Sequence, residues 1–210
     1  MSERELREQI ALHGKSLFER GLTGGSSGNI SVRLPDGLLV TPTNSCLGRL
    51  DPERITKLSV AGEVVAGDKP SKEAFLHQSV YASRPSERAV VHLHSSYSVA
   101  VSCLADVDEE DVLPPLTPYY VMRVGRLPLL PYYAPGDEEL AEAVARAAVG
   151  SRSLLLANHG PVVAGKDLDS AVNAIEELEE TAKLFLMLRH EKTSCLSESQ
   201  VASLRAKFPN

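Results

Sequence analysis

Apolar positions along this chain recur with two different periods. In the first twenty residues Leu6, Ile10, Leu17 and Phe18 fall on one stripe that stops at Gly21, which predicts an amphipathic helix over about 3–20. Short apolar or alternating runs then predict strands at 30–33, 38–41, 57–59 and 63–66, separated by turns at Pro35-Asp36-Gly37 and Ala61-Gly62. A helix over about 73–83 leads into the run Ala89-Val90-Val91-His92-Leu93-His94-Ser95, and Ser95-Ser96 are placed to cap a helix reaching about Leu104. Beyond an acidic loop at 106–111, the pattern predicts a tyrosine-rich helix over about 119–125, a strand at 127–130 and a helix at 137–148. Strands at 153–157 and 162–164 and a long helix over about 168–190 complete it. Tight turns join several strands and helices interrupt them irregularly. The expectation is therefore an α/β chain whose central mixed or antiparallel sheet is flanked by helices, rather than a doubly wound parallel sheet.

Composition narrows the classes of function. With 210 residues and 43% hydrophobic content, and no linker-like stretch, the chain reads as a single domain over 1–210, its core at about 5–190 and a tail at 191–210. The net charge of -6 without a basic cluster argues against a nucleic-acid partner and points to a small molecule. No apolar run approaches membrane-spanning length, and the N-terminus Met1-Ser2-Glu3-Arg4-Glu5 is charged, so the expected location is the cytoplasm. Cys46, Cys103 and Cys195 have neither disulfide nor zinc-cluster spacing and read as buried, inert thiols.

The candidate chemistry begins with His92 and His94. Two residues apart in a strand, their imidazoles would project from one face and grip one cation, although the spacing also suits two half-exposed strand histidines. A second apolar run, Leu154-Leu155-Leu156-Ala157-Asn158-His159-Gly160-Pro161, ends on a third candidate ligand, His159. Two turns suit an anion. In Thr23-Gly24-Gly25-Ser26-Ser27-Gly28-Asn29 small residues let backbone N–H groups converge while hydroxyls and Asn29 add donors; a flexible connector would have the same composition. In Pro70-Ser71-Lys72-Glu73 Ser71, Lys72 and unpaired amides precede a helix, where a simple cap is the alternative. His13, His77 and His190 fall in helical segments and read as structural, and Tyr132 and Tyr133 read as packing residues.

Taken in order, Gly28-Asn29-Ile30-Ser31, Thr41-Pro42-Thr43, Ser71-Lys72-Glu73, His92-Leu93-His94-Ser95 and His159-Gly160 resemble the class II aldolase/adducin family over roughly 5–190. The resemblance implies a homotetramer with active sites at subunit interfaces and one divalent ion per subunit, usually zinc. It implies ligation by His92, His94 and His159, with Glu73 as resting ligand and then as proton acceptor. Phosphate contacts map onto Gly28, Asn29, Thr43, Ser71 and Lys72, and the catalytic proton donor onto Tyr119, with Tyr120 as the alternative. Within the family, the segments 22–29, 45–50, 70–73 and 113–120 resemble the branch that decarboxylates a 3-oxo-tetronate 4-phosphate to dihydroxyacetone phosphate and CO2 through an enediolate. The alternatives are an aldolase of the fuculose-phosphate type or a pentulose-phosphate 4-epimerase, and either way the partner is a small phosphorylated sugar derivative.

Overall fold

The computed structural model describes residues 1–134 and 137–208. Helix α1 (Glu3–Glu19) opens with a capping box in which the Ser2 hydroxyl and the Glu5 side chain satisfy each other's backbone amides. Eight strands follow: β1 (Asn29–Leu34), β2 (Gly37–Val40), β3 (Thr56–Ser59), β4 (Val64–Ala66), β5 (Ala89–His92), β6 (Leu129–Leu130), β7 (Ser153–Leu156) and β8 (Gly160–Gly165). They form one mixed sheet in the order β4-β3-β2-β1-β5-β8-β7-β6. All its pairs are antiparallel except β6 with β7, in agreement with the expected class.

Helices α2 (Ala74–Ser83) and α5 (Glu138–Gly150) cover one face of the sheet; α1, α3 (Ser96–Ser102), α4 (Pro118–Arg123) and α6 (Leu168–Leu188) pack on the other. The central strands alternate between these two layers. Leu39, Val91 and Val163 enter the core under α1 and α6, whereas Leu38, Val90, Val162 and Ala164 enter the core under α2 and α5. A strand buried on both faces explains why the sequence shows near-continuous apolar runs here instead of a polar alternation.

That parity fixes where polar residues go. Asn29 pairs with His92 and Ser31 with Val90, so Asn29, Ser31 and His92 share the face covered by α2, while Ile30 and Val91 enter the opposite core. Three local expectations are revised. The strand at 127–130 shortens to Leu129–Leu130. Helix α3 is not capped by its serines: Ser95 makes no side-chain cap bond, and the Glu179 carboxylate of α6 accepts from Tyr97 and Ser98 N–H, each at 2.8 Å. Within 191–210, helix α7 (Glu198–Lys207) packs against α4, with Leu196, Val201 and Leu204 laid against the core.

Candidate active site and metal centre

Strand β5 stops at His92 because its neighbour β8 presents Pro161 at the next position. Pro161 has no N–H to extend the ladder, and only its carbonyl is used, accepting from Leu93 N–H at 3.3 Å. His94 therefore lies in the segment after β5, not within the strand as the His-x-His spacing implied, and it still turns back toward His92. On the other side, the turn after β7 carries Asn158 at φ 56 and Gly160 at φ +149. A Cβ on Gly160 would stand 2.3 Å from the Leu93 carbonyl oxygen, so only glycine lets this turn press close enough to bring His159 beside His94.

The three imidazoles converge edge to face, with ring centroids 4.8–4.9 Å apart. His94 Nε2 lies 3.1 Å from both His92 Nε2 and His159 Nε2. Glu73, the residue preceding α2, completes the cluster: its Oε1 is 3.1 Å from His159 Nε2 and its Oε2 is 3.6 Å from His92 Nε2. One ligand atom from each of the four lies within 4.8 Å of all the others. The Glu73 side chain makes no cap bond to its own helix and so is free to do this; its backbone N–H donates to the Ser71 hydroxyl oxygen at 3.2 Å.

The donor chemistry fits a divalent cation. His92 Nδ1 donates to the Pro161 carbonyl at 2.8 Å, which leaves the Nε2 lone pair of the neutral ring aimed into the cluster. Tetrahedral ligands roughly 2.0–2.1 Å from an ion lie about 3.3 Å apart, and the observed separations bracket that spacing. Burial holds the His92 imidazole down to about 4, against the pull of Glu73; burial and the nearby His159 lower His94 as well. Neutral imidazoles are the ligating form. Burial pushes the Glu73 carboxyl up, but the bond from His159, the fields of His92 and His159 and the Asn29 amide outweigh it, so its pKa falls well below the ordinary carboxylate range.

The other expected residues are placed as follows. Asn29 is buried and donates from Nδ2 to Glu73 Oε2 at 2.7 Å. Gly28, at φ +80, lies so close to β5 that a Cβ there would stand 3.0 Å from the His92 carbonyl oxygen. Ser71 N–H donates to the Thr41 carbonyl at 3.1 Å, which ties the turn at 70–73 to the segment after β2 that carries Thr43. Thr43 is half-buried and lines a cavity of about 320 Å³ with Gly25, Ser26 and Arg49. Lys72 is exposed, and no carboxylate among the described residues pairs with it. Tyr119 is 55% exposed and stacks on Arg123, the guanidinium 5.2 Å from its ring centroid; among the described residues no hydrogen bond or ring contact joins it to the histidine cluster. Tyr120 is buried, its hydroxyl has no hydrogen-bond partner, and burial raises its pKa well above the ordinary phenol value.

Some readings need correction. Tyr133 packs against the core under α2 and α5 as expected, whereas Tyr132 is exposed; with Ser96, Val99 and Asn158 the two tyrosines line a cavity of about 660 Å³ that opens on His94 and His159. Cys46 is half-buried, and Cys103 and Cys195 are exposed, so none is a core thiol. His77, read as structural, is fully buried and hydrogen-bonded, to Asn29 Oδ1 at 2.5 Å and Ser31 Oγ at 2.6 Å. The available signal was its spacing, four residues after Glu73 on one helix face.

Comparison with known proteins follows the same outline. Residues 8–186 match the family model of the Class II Aldolase and Adducin N-terminal domain. The chain is 50% identical over 205 residues to the 3-oxo-tetronate 4-phosphate decarboxylase of Escherichia coli strain K12, covering 97% of each sequence. It is 33% identical to the L-fuculose phosphate aldolase of Haemophilus influenzae, covering 99% of this chain and 95% of that one. The crystal structure of YgbL from Escherichia coli, described as an aldolase/epimerase/decarboxylase, superposes with a TM-score of 0.94 at 49% identity, covering 97% of this chain and 99% of that one.

Proposed function

This chain belongs to the class II aldolase and adducin family, and from that premise we propose that it is a lyase removing CO2 from a 3-oxo-tetronate 4-phosphate to leave dihydroxyacetone phosphate. The observation that carries the choice within the family is the identity of 50% to the decarboxylase, over nearly the whole of both chains, against 33% to the aldolase. His92, His94 and His159, with Glu73 as a displaceable fourth donor, would hold one Zn2+ per chain. When bound, such an ion supplies a fixed positive charge that polarises a substrate oxo group.

The chain's own residues then divide the remaining work. Asn29 and Ser71, with the Gly28 and Thr43 turns and Lys72, hold the phosphate and so fix which carbon lies against the histidine cluster. The C1–C2 bond breaks, CO2 leaves, and the electron pair passes from C2 toward the 3-oxo oxygen. Glu73, kept ionised, takes and returns the hydroxyl proton next to that oxygen through its carboxylate oxygens. A proton delivered to C2 completes dihydroxyacetone phosphate. Tyr119 of a neighbouring subunit suits that last step, since its side chain is exposed, whereas the Tyr120 hydroxyl is enclosed. A homotetramer with interface active sites, working in the cytoplasm, is the assembly this reading requires.

A coupled assay on synthetic substrates tests it. The expected result is CO2 and dihydroxyacetone phosphate in equal amounts from the oxo-acid. Release of glycolaldehyde or lactaldehyde from a ketose phosphate, with no CO2 from the oxo-acid, transfers the assignment to the aldolase.

A further inference from the structure

We propose that His77 is a positioning residue that fixes the polarity of the Asn29 carboxamide, turning the amino group, never the oxygen, toward Glu73 and the anionic end of the substrate; this rests on the roles given to Asn29 and Glu73 above. A primary amide is ambiguous: its two ends have nearly the same shape, but one accepts and the other donates. With its oxygen outward, Asn29 would face both a carboxylate and a phosphate with a lone pair.

The ambiguity is removed by a chain of hydrogen bonds with only one consistent direction. The ionised Glu73 carboxylate only accepts, so Asn29 Nδ2 donates to it at 2.7 Å. Asn29 Oδ1 then faces His77 Nε2 at 2.5 Å and requires a proton there. A neutral ring protonated at Nε2 is bare at Nδ1, and Nδ1 accepts from Ser31 Oγ at 2.6 Å. Ser31 Oγ in turn lies 2.8 Å from the Tyr81 hydroxyl, which also reaches the Ser31 carbonyl at 3.1 Å. His77 and Ser31 are fully buried, so water cannot substitute for either partner. Burial also keeps the His77 ring neutral, pushing it down to about 3. The opposite tautomer would set Asn29 Oδ1 against Glu73 Oε2, two acceptors at hydrogen-bond distance.

The meeting is dictated by two periodicities. Residues 73 and 77 are four apart at the start of α2, roughly 6 Å along a helix; residues 29 and 31 are two apart on one face of β1, roughly 6.6 Å along a strand. The two rows run in step, so Glu73 meets Asn29 while His77 reaches both Asn29 and Ser31. With Oδ1 held by His77 and one N–H by Glu73, Asn29 has a single N–H left to offer. That makes it a reader of anions.

Two measurements on the zinc-loaded protein decide the matter. Long-range 1H–15N NMR of the wild type reports the tautomer directly, and the proposal requires His77 protonated at Nε2 and bare at Nδ1. A ring protonated at Nδ1 overturns it, whatever reaction the enzyme performs. The second is a double-mutant cycle in steady-state kinetics. His77→Leu alone should raise KM for the phosphorylated substrate roughly tenfold, the size of one lost directional hydrogen bond. Combined with Asn29→Ala, it should add nothing to the effect of Asn29→Ala alone. His77→Gln, which restores an N–H donor, should recover most of the loss and serves if the leucine variant does not fold. Multiplicative effects in the double variant, or wild-type KM in the singles, refute the proposal. Absence of decarboxylation by the wild type refutes the proposed function instead and leaves the tautomer result to stand.

Discussion

Glu73, His92, His94 and His159 come from three separate stretches of sequence and still converge within 4.8 Å, whereas the adjacent Tyr119 and Tyr120 part company completely. Tyr120 is sealed in the core, and Tyr119 lies open against Arg123. The cation-binding half of the site is thus a product of folding, set by sheet register and a glycine turn. Tyr119, proposed as the proton donor, is left on an outer surface, and under that proposal it would act on a substrate held by a neighbouring subunit. Folding and assembly are therefore expected to be separable by experiment.

The harshest way to break the folded half is to remove a ligand. His92→Ala, His94→Ala or His159→Ala should lose the bound metal and abolish turnover while helical content stays near wild type; metal analysis beside circular dichroism checks it. Full activity in a metal-free preparation would contradict the role assigned to the cluster. Next in size, Glu73→Gln should slow turnover by about 10² to 10⁴, as expected for loss of a general base, and Tyr119→Phe should also slow it. Mixed after reversible dissociation, the two inactive variants should recover part of the activity, because some sites then combine an intact Glu73 with an intact Tyr119. Failure to complement would put both residues in one chain's site. Smaller again, Ser71→Ala should chiefly raise KM for the phosphorylated substrate by several-fold to tenfold, since it removes a contact remote from the breaking bond.

The mildest test uses pH on the metal-free protein. Burial holds His77 at about 3 and His92 at about 4, below the ordinary 6.5. Between those limits the unfolded chain binds more protons than the folded one. Stability should therefore be complete above about 6.5 and decline as pH falls through 4 toward 3, seen as a falling urea midpoint. His77→Gln should make the decline shallower, and an unchanged slope would show that His77 does not contribute to it.

Much of this was legible in the sequence because it was local. The strands β1 to β8 and helices α1 to α6 follow from apolar period and turn residues, and three of the four clustered donors lie at the ends of apolar runs. Glu73 was legible only through family resemblance, since nothing in its neighbourhood says that its carboxylate leaves its own helix uncapped and turns to the histidines. Other features depend on packing between distant segments. Glu179 caps α3 from eighty residues away, Pro161 ends β5 from across the sheet, and Tyr132 lines a cavity formed with β5 and β7 neighbours. Parity misled in one instance: the His-x-His pair suggested strand geometry for both rings, yet only His92 is in the strand.

The pairing of Asn29 with His92 also bears on how this gene can change length. Side chains alternate along a strand, so inserting or deleting one codon within 89–92, or within 29–31, would carry His92 or Asn29 to the opposite layer, under α1 and α6. It would at the same time bring a valine or isoleucine to the face covered by α2. The segment 104–108 carries no such constraint, since among the described residues it pairs with no strand, whereas 109–112 is held to 127–129 by backbone bonds. Indels among related genes should accordingly gather in that segment and spare the two strands, even where amino-acid identity has drifted far.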